Sequence, residues 1–449
     1  MMGRLEERQS SLFYDFCLED RMPSNHPLRS LDAVLDFDKT RAALARYYSH
    51  TGRPSIDPEL MLRMLLIGYA YGIRSERRLV EEVSLNLAYR WFCRLGLEGD
   101  VPDHSTFSKN RYGRFRESDV YRALFEDVVE QCRKAGLVPG EGFAVDGSFI
   151  CADASRERGA TIEAIRQEDT SARPVREYLA ALDAGNPAHS GDAKHLSPTD
   201  PAAAWNTKEG PGRFAYFDNY MIDTAHGIIV DVEATPARTA QEVIAAKAML
   251  DRVAETHGIT PDTLAADKCY GTGPFLAWLK AHNVTPHIPV LDRQNQTNGV
   301  LTREAFTFDP ERNVFTCPQG KILKHRNAQH ATRIHTYRAS ESDCCNCPIK
   351  SQCTSGSKRT LSVPFDEAVR QEVMALQNTE AYQRSRQLRK KVEMLFGHMK
   401  RQFRFTRLKL RGLGGAAEEF LMVATVQNLR RLIRIRPPDI PKRCNAAVT

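Results

Sequence analysis

The chain has 449 residues, a net charge of +7, 42% hydrophobic and 27% charged content, which suits a soluble globular protein of two or three domains. No apolar run is long enough to span a bilayer, and the first residues, MMGRLEERQSSLF, carry acids and no apolar leader core, so a cytoplasmic protein with no membrane partner is expected. Its eleven cysteines are not spread as in a secreted disulfide scaffold, because Cys317, Cys344, Cys345, Cys347 and Cys353 cluster, which in a reducing compartment points to metal before disulfide.

Residues 1–50 begin with polar and turn-forming segments that include Pro23 and Pro27. Asp57-Pro58 then starts a helix, with Leu60, Met61, Met64, Leu65 and Ile67 at helical spacing. A break at Gly72-Ile73-Arg74-Ser75 leads to a second helix through Leu79, Val83 and Leu87. Asp103 or Ser105 is placed to cap another, running through Arg111 and Phe115, and a further helix covers about residues 118–135. The arginines of this all-helical unit suit a helix-turn-helix DNA reader, whereas the acids Glu76, Glu81 and Glu82 suit a solvated packing domain.

At Glu141-Gly142 the pattern becomes strand-like, with Phe143, Val145 and Phe149 on one face and Asp146 on the other. Residues 155–212 lose periodicity and are expected to form an irregular insertion. Residues 213–222 and 227–235 form a hairpin, 240–253 an amphipathic helix, 263–267 a short strand ending on Asp267, 273–282 a helix and 284–289 a last strand. The fold class this implies is α/β, a mixed sheet flanked by helices. A right-handed crossover brings the fourth strand back parallel to the first, with Asp146 beside Asp267. Asp153, Asp218, Asp223, Asp231 and Glu233 are competing acids that fit turn or strand-end hydrogen bonding.

Residues 290–378 interrupt this domain. Cys344 and Cys347 have the C-x2-C spacing of a zinc site, which Cys317 and Cys353 complete to four thiolates; His325, His330 and His335 are alternative ligands, and buried free thiols are the competing reading. A small excursion with little core of its own gains from a structural Zn²⁺. The stretch Arg384–Arg411 then holds eleven Lys or Arg residues and a single acid, Glu393. Arg386, Arg389, Glu393 and Lys400 fall on one helical face, and Leu388, Val392, Leu395 and Met399 on a neighbouring apolar one. Glu393 either pairs with Arg389 and Lys390 on a solvated helix or supplies a third carboxylate. Two carboxylates on adjacent strands and a third from a helix are what a pair of Mg²⁺ (or Mn²⁺) ions needs for phosphoryl transfer, and the flanking cations suit a phosphate backbone.

These pieces resemble bacterial insertion-sequence transposases of the DDE type, with a ribonuclease H-like catalytic domain. The resemblance rests on Val145-Asp146-Gly147, on Ala266-Asp267-Lys268-Cys269-Tyr270 against a D-x-G-Y-like motif, and on Arg389, Glu393 and Lys400 at the spacing of Y-x2-R-x3-E-x6-K. Arg386 stands at the Tyr position of that signature, and Cys269 at a usual Gly. The hairpin, Ser197-Pro198-Thr199-Asp200-Pro201 and Pro102-Asp103-His104-Ser105-Thr106-Phe107 are similar too, so the likeness covers most of residues 30–435.

The resemblance implies an enzyme in which Asp146, Asp267 and Glu393 bind two Mg²⁺ ions, water cuts the element's ends, and the freed 3′-hydroxyl attacks target DNA. Arg386, Arg389, Lys400 and Arg404 would contact DNA. Residues 1–135 would bind the terminal inverted repeats, 136–289 and 379–436 would make the catalytic domain around the Cys-rich insertion 290–378, and 437–449 would be a tail. It further implies a bacterial, nucleoid-associated protein that is a dimer or higher on paired ends. A catalytically inactive DNA-binding relative and a nuclease of the same fold are the alternatives.

Overall fold

Asp57 accepts a hydrogen bond from the Glu59 amide and Pro58 occupies the first turn of the helix Pro58–Tyr71, as the Asp-Pro pair predicts, in the computed structural model of this chain. The structure describes residues 16–48, 51, 55–167, 172–184, 195–207, 210–291 and 301–439. They divide into two units: unit one holds residues 1–137, 150–216 and 395–449, and unit two holds 138–149 and 217–394.

Unit one is mainly helical. Pro58–Tyr71 and Gly412–Ile435 are buried on nearly every side, so both are core helices; Leu62, Met64, Phe420, Met422 and Val426 are fully buried. Gly412–Ile435 packs on Val120–Lys134 and on Pro58–Tyr71. No helix among the described residues is long and apolar enough to cross a membrane.

The expected second helix is two, Glu76–Leu85 and Leu87–Phe92, because the Asn86 side chain caps the second. The helix expected through Arg111 and Phe115 is also interrupted, since Gly113 takes a non-helical conformation. The segment 155–212, expected to be irregular, carries helices Ile162–Gln167 and Arg173–Asp183, which bury Ile165, Val175 and Tyr178. Their few apolar residues are diluted by Ala, Arg and Glu, so the periodicity is faint in sequence.

Charges are buried in unit one and are paired. Arg63 donates to Asp32 at 2.6 Å, Glu59 at 2.8 Å and the Phe92 carbonyl at 2.9 Å. Glu419 pairs with Arg74 and accepts the Lys409 and Leu410 amides, each at 2.6 Å. Its neighbour Glu418 is pushed up to about 7, first by burial and further by Glu419, against the opposing pull of Arg111, Arg116 and Arg173. A raised carboxyl pKa means the folded state holds the proton more tightly. Its contribution is therefore full at low pH and is lost as pH rises from the ordinary Glu value through 7. Glu418→Gln should flatten that slope. Between pH 5 and 8 the parental chain should lose roughly 3 kcal/mol relative to the variant, read from denaturant midpoints across pH.

The described strands are β1 Gly142–Cys151, β2 Ala204–Asn206, β3 Arg213–Asp223, β4 Ile228–Pro236, β5 Thr263–Ala265, β6 Thr285–His287, β7 Thr307–Asp309, β8 Val314–Thr316, β9 Ile322–Gln329, β10 Ile334–Arg338 and β11 Thr360–Pro364. Unit two contains two sheets. In the first the order is β4, β3, β1, β5, β6. The β1–β5 and β5–β6 pairs are parallel. Within unit one, β2 pairs antiparallel with the first residues of β3. The helix Thr239–His257 joins β4 to β5 and ends on Gly258 at φ +65°, where a left-handed turn suits glycine.

The second sheet is antiparallel in the order β11, β10, β9, β8, β7. The Cys-rich segment therefore has more core than expected. Phe306, Phe315, Leu323, Tyr337, Leu361 and Val363 are buried together. Its strands are short and their outer faces charged, so alternation is masked by Lys, Arg and His.

Candidate active site

Parallel pairing sets the first two carboxylates. Ala144 of β1 is in register with Ala265 of β5, and Asp146 and Asp267 each lie two residues further on. Asp267 lies just past the end of β5, at the start of the turn that follows it, and is near enough for its charge to act on Asp146. Asp146 accepts the Gly147 amide at 2.9 Å, and Asp267 accepts the Cys269 amide at 2.8 Å, capping the short turn Lys268–Tyr270.

The third carboxylate comes from the helix Glu380–Arg401. Val392, Leu395 and Met399 are buried and Leu388 is half-buried, which is the apolar stripe the spacing predicts. Arg389 lies one turn before Glu393. Its guanidinium donates to Asp146 Oδ2 at 3.2 Å and to Glu393 Oε1 at 2.8 Å. The side chains are 20% exposed at Asp146 and 51% at Glu393, so one acid is half-sunk and the other faces solvent. Asp146 is pushed up to about 6. Burial is the main cause, with Asp267 and Glu393 adding to it, while Arg389 and the Gly147 amide pull the other way.

Three side chains that hold this helix were not singled out in the sequence. Lys391 donates to the Thr224 carbonyl at 2.6 Å and the Ala225 carbonyl at 2.9 Å, at the β3–β4 turn. Ser385 lies 2.7 Å from His287 Nδ1, and His287 packs edge-on against the buried Tyr382. A lysine in a run of eleven cations gives no signal of its own, and Ser385 and His287 are 98 residues apart.

Behind Asp146 lies a tight polar shell, also missed. Asn219 and Glu242 are buried, and a Cβ at Gly147 would sit 2.9 Å from Asn219 Oδ1 and 3.2 Å from Glu242 Oε1. The Tyr270 hydroxyl is held well above its ordinary pKa, by burial first and then by Glu242, Asp146 and Asp267. Gly271 is tighter still: a Cβ there would lie 1.9 Å from the Pro289 carbonyl oxygen and 2.8 Å from the Leu291 amide. The Leu291 amide also donates to the Gly271 carbonyl at 2.7 Å, so the backbone cannot shift without breaking that bond. Gly271→Ala should cost about 3 kcal/mol or more and displace the Asp267 turn, seen as a drop in melting temperature.

The competing acids have other partners. Asp223 accepts the Gly140 amide at 3.0 Å and the Ala225 amide at 2.8 Å. Arg252 pairs with Asp231 at 2.7 Å and Glu233 at 2.5 Å, and Asp218 is fully buried. In unit one, Asp153 pairs with Arg407 and Arg411. Of the cations expected at DNA, Arg389 joins the carboxylates and Arg386 is exposed on the same helix, while Lys400 and Arg404 belong to unit one.

Asp146, Asp267 and Glu393 supply oxygen donors of the kind hard divalent cations take. Among the described residues no three His, Cys, Asp or Glu side chains are gathered at metal-holding spacing. Two of these acids instead share the charge of Arg389. The donor set suits a divalent cation in kind, and such an ion would have to displace Arg389 from Asp146 and Glu393.

Cys317, Cys344 and Cys347 all act through space on the buried Cys353, whose pKa is raised chiefly by burial. Cys317 Sγ accepts the Lys321 amide at 3.3 Å, and Cys317 and Cys344 pack against the core that contains Cys353. All four are free thiols. His325 and His335 lie 3.2 Å apart in an aromatic cluster with Tyr337, and His330 meets Phe365.

Two family models match the chain. One is described as a transposase domain (DUF772) and covers residues 16–112; the other is described as a transposase DDE domain and covers residues 316–433. The second includes Glu393 and its flanking cations; Asp146 and Asp267 lie outside both. None of the curated proteins matches. Among solved structures, a piggyBac transposase synaptic complex with hairpin DNA is similar at 11% identity and a TM-score of 0.37, over 93% of this chain and 77% of that one.

Proposed function

We propose, for a chain that is a DDE transposase of the insertion-sequence type, that Asp146, Asp267 and Glu393 are its catalytic carboxylates. The observation that carries this is the parallel pairing that ends at Ala144 and Ala265, two residues before Asp146 and Asp267, together with the single guanidinium that joins Asp146 to Glu393. The strand order β4, β3, β1, β5, β6, with β1 central and parallel to β5, supports a ribonuclease H-like domain.

DDE transposases use divalent metal. Here Asp146, Asp267 and Glu393 would hold two Mg²⁺ or Mn²⁺ ions, which when bound make an attacking oxygen more nucleophilic and stabilise the leaving one. In the first reaction a water oxygen bonds to phosphorus at the element's end and the 3′-oxygen leaves as a hydroxyl. In the second that hydroxyl attacks a target phosphodiester, whose own 3′-oxygen departs. Arg389 and Arg386 hold phosphate without reading bases. Residues 1–135 read the terminal inverted repeats, and paired ends are held by a dimer or larger assembly in the bacterial nucleoid. Incubation with DNA carrying the element's ends should give cleaved ends joined to a target. Hydrolysis without joining would favour a nuclease, and DNA binding alone an inactive relative.

Cys317, Cys344 and Cys353 meet at one core with Cys347 close in sequence, and a structural Zn²⁺ would have to draw these thiols closer than they stand, tying the loop after β8 to the helices Glu341–Cys345 and Lys350–Cys353. Purified protein should carry about one zinc per chain by elemental analysis. The double variant Cys344→Ser, Cys347→Ser should lose it and melt the β7–β11 sheet at lower temperature; an unchanged zinc content would remove the proposal.

A further inference from the structure

Unit one contains a cavity of about 370 Å³ that none of the residues assigned above lines. Its walls are Tyr112, Arg116, Arg173, Lys409 and Arg411, with Pro174 and the single acid Asp153. Four of the lining side chains are cations and one is a carboxylate, and with the arginines held by Glu177, Glu418 and Asp153 it is Lys409 that offers its charge to an anion; about 370 Å³ is room for one nucleotide.

The cations are held ready. Arg116 donates to Glu177 at 2.9 Å and reaches Glu418 at 3.5 Å from behind. Arg173 pairs with Glu177 at 2.7 Å and also donates to the Tyr112 carbonyl. Arg411 grips Asp153 at 3.0 Å. A guanidinium carries five N–H donors, so these partners fix each fork in place without using every donor. Lys409 is exposed, and no carboxylate among the described residues lies at ion-pair distance from its ammonium.

The helices Gly412–Ile435 and Arg173–Asp183 both begin at this cavity, the first with its leading amide donated to Asp200 at 3.2 Å and the second with Pro174 in its first turn, so the charge of the site comes from side chains. Gly414 lets Arg116 approach: a Cβ there would lie 2.3 Å from its Nη2. Tyr112 is 43% exposed, an aromatic face left at the rim. By contrast, the cleft of about 570 Å³ in unit two is lined by Glu141, Asp262 and Glu380 around Arg384, which repels a phosphate backbone.

We propose that this cavity binds one nucleotide of a DNA strand, its phosphate on Lys409 and the arginines and its base or sugar against Tyr112. The proposal rests on the transposase reading and adds a DNA contact built wholly from unit one. It is a positioning contact, since phosphate and a ring face carry no sequence information.

The test uses the full chain, without divalent metal, and fluorescence anisotropy with a labelled 30-mer, single-stranded and duplex, at 50 to 200 mM salt. Lys409→Ala should reduce the slope of log affinity against log salt by about 1. Tyr112→Ala should weaken single-strand binding about ten-fold, and Tyr112→Phe should restore it. Both are surface side chains, and matched melting curves show that the variants are folded. If the parental chain binds and both variants keep its affinity and salt slope, the cavity is not a DNA site. If free thymidine monophosphate binds as tightly as the strand and displaces it, the cavity serves a small ligand and the proposal fails. A parental chain that binds no DNA overturns the transposase reading itself, an outcome distinct from either.

Discussion

Asp146→Asn and Asp267→Asn should each lower strand cleavage roughly a thousand-fold or more, because each removes a charged oxygen donor where several kcal/mol of charge stabilisation is made. The fold should survive, since asparagine keeps the acceptor that meets the Gly147 or Cys269 amide. Binding of DNA in the absence of metal should change little or tighten, as a negative charge near phosphate is gone. Glu393→Gln should act similarly on cleavage with a smaller effect on stability, because its side chain is half exposed. The readouts are nicking of a labelled end, metal-free DNA affinity and melting temperature. Normal cleavage by any one variant would remove that residue from the site.

Arg389→Ala should separate metal binding from turnover. The guanidinium competes with a divalent cation for Asp146 and Glu393. Without it Mn²⁺ should bind about ten-fold more tightly to the DNA-free protein, followed by electron paramagnetic resonance of the free ion. Cleavage should nevertheless fall about a hundred-fold, because the same guanidinium is then missing from the phosphate. Arg389→Lys should recover little, since an ammonium cannot bridge two carboxylates with a planar fork. Unaltered Mn²⁺ affinity in Arg389→Ala would show that the arginine does not guard the site.

The parallel pairing of the first strand with the strand before Asp267 was legible in the sequence, because strand patterns and crossover handedness leave few arrangements. The choice of Asp146 and Asp267 over Asp153, Asp218, Asp223, Asp231 and Glu233 came from the family resemblance, and Glu393 was marked by its isolation among cations. Two other features were not legible. Arg389 was read as a DNA contact or as a partner of Glu393, and its bridge to Asp146 depends on a residue 243 positions earlier. The polar shell of Asn219, Glu242 and Tyr270 is assembled from a strand, a helix and a turn, so no window of sequence contains it. The helices at 162–167 and 173–183 and the extra sheet at 307–364 were missed for a third reason. Short elements with small or charged residues carry little periodicity, and their stability comes from packing on neighbours.

The layout of unit one has a consequence for how the molecule is made. The helix Pro58–Tyr71 is mostly apolar and buried along its length, yet part of its cover is Gly412–Ile435, and Arg430 donates to the Ala70 carbonyl across 360 positions. A ribosome adding about 5–20 residues per second leaves that helix without its cover for tens of seconds. Unit two closes earlier, when residue 394 emerges. Folding should therefore run out of chain order, the middle of the polypeptide before its beginning. A copy of the gene truncated ahead of residue 412 should yield a protein whose first helices collect chaperones or aggregate.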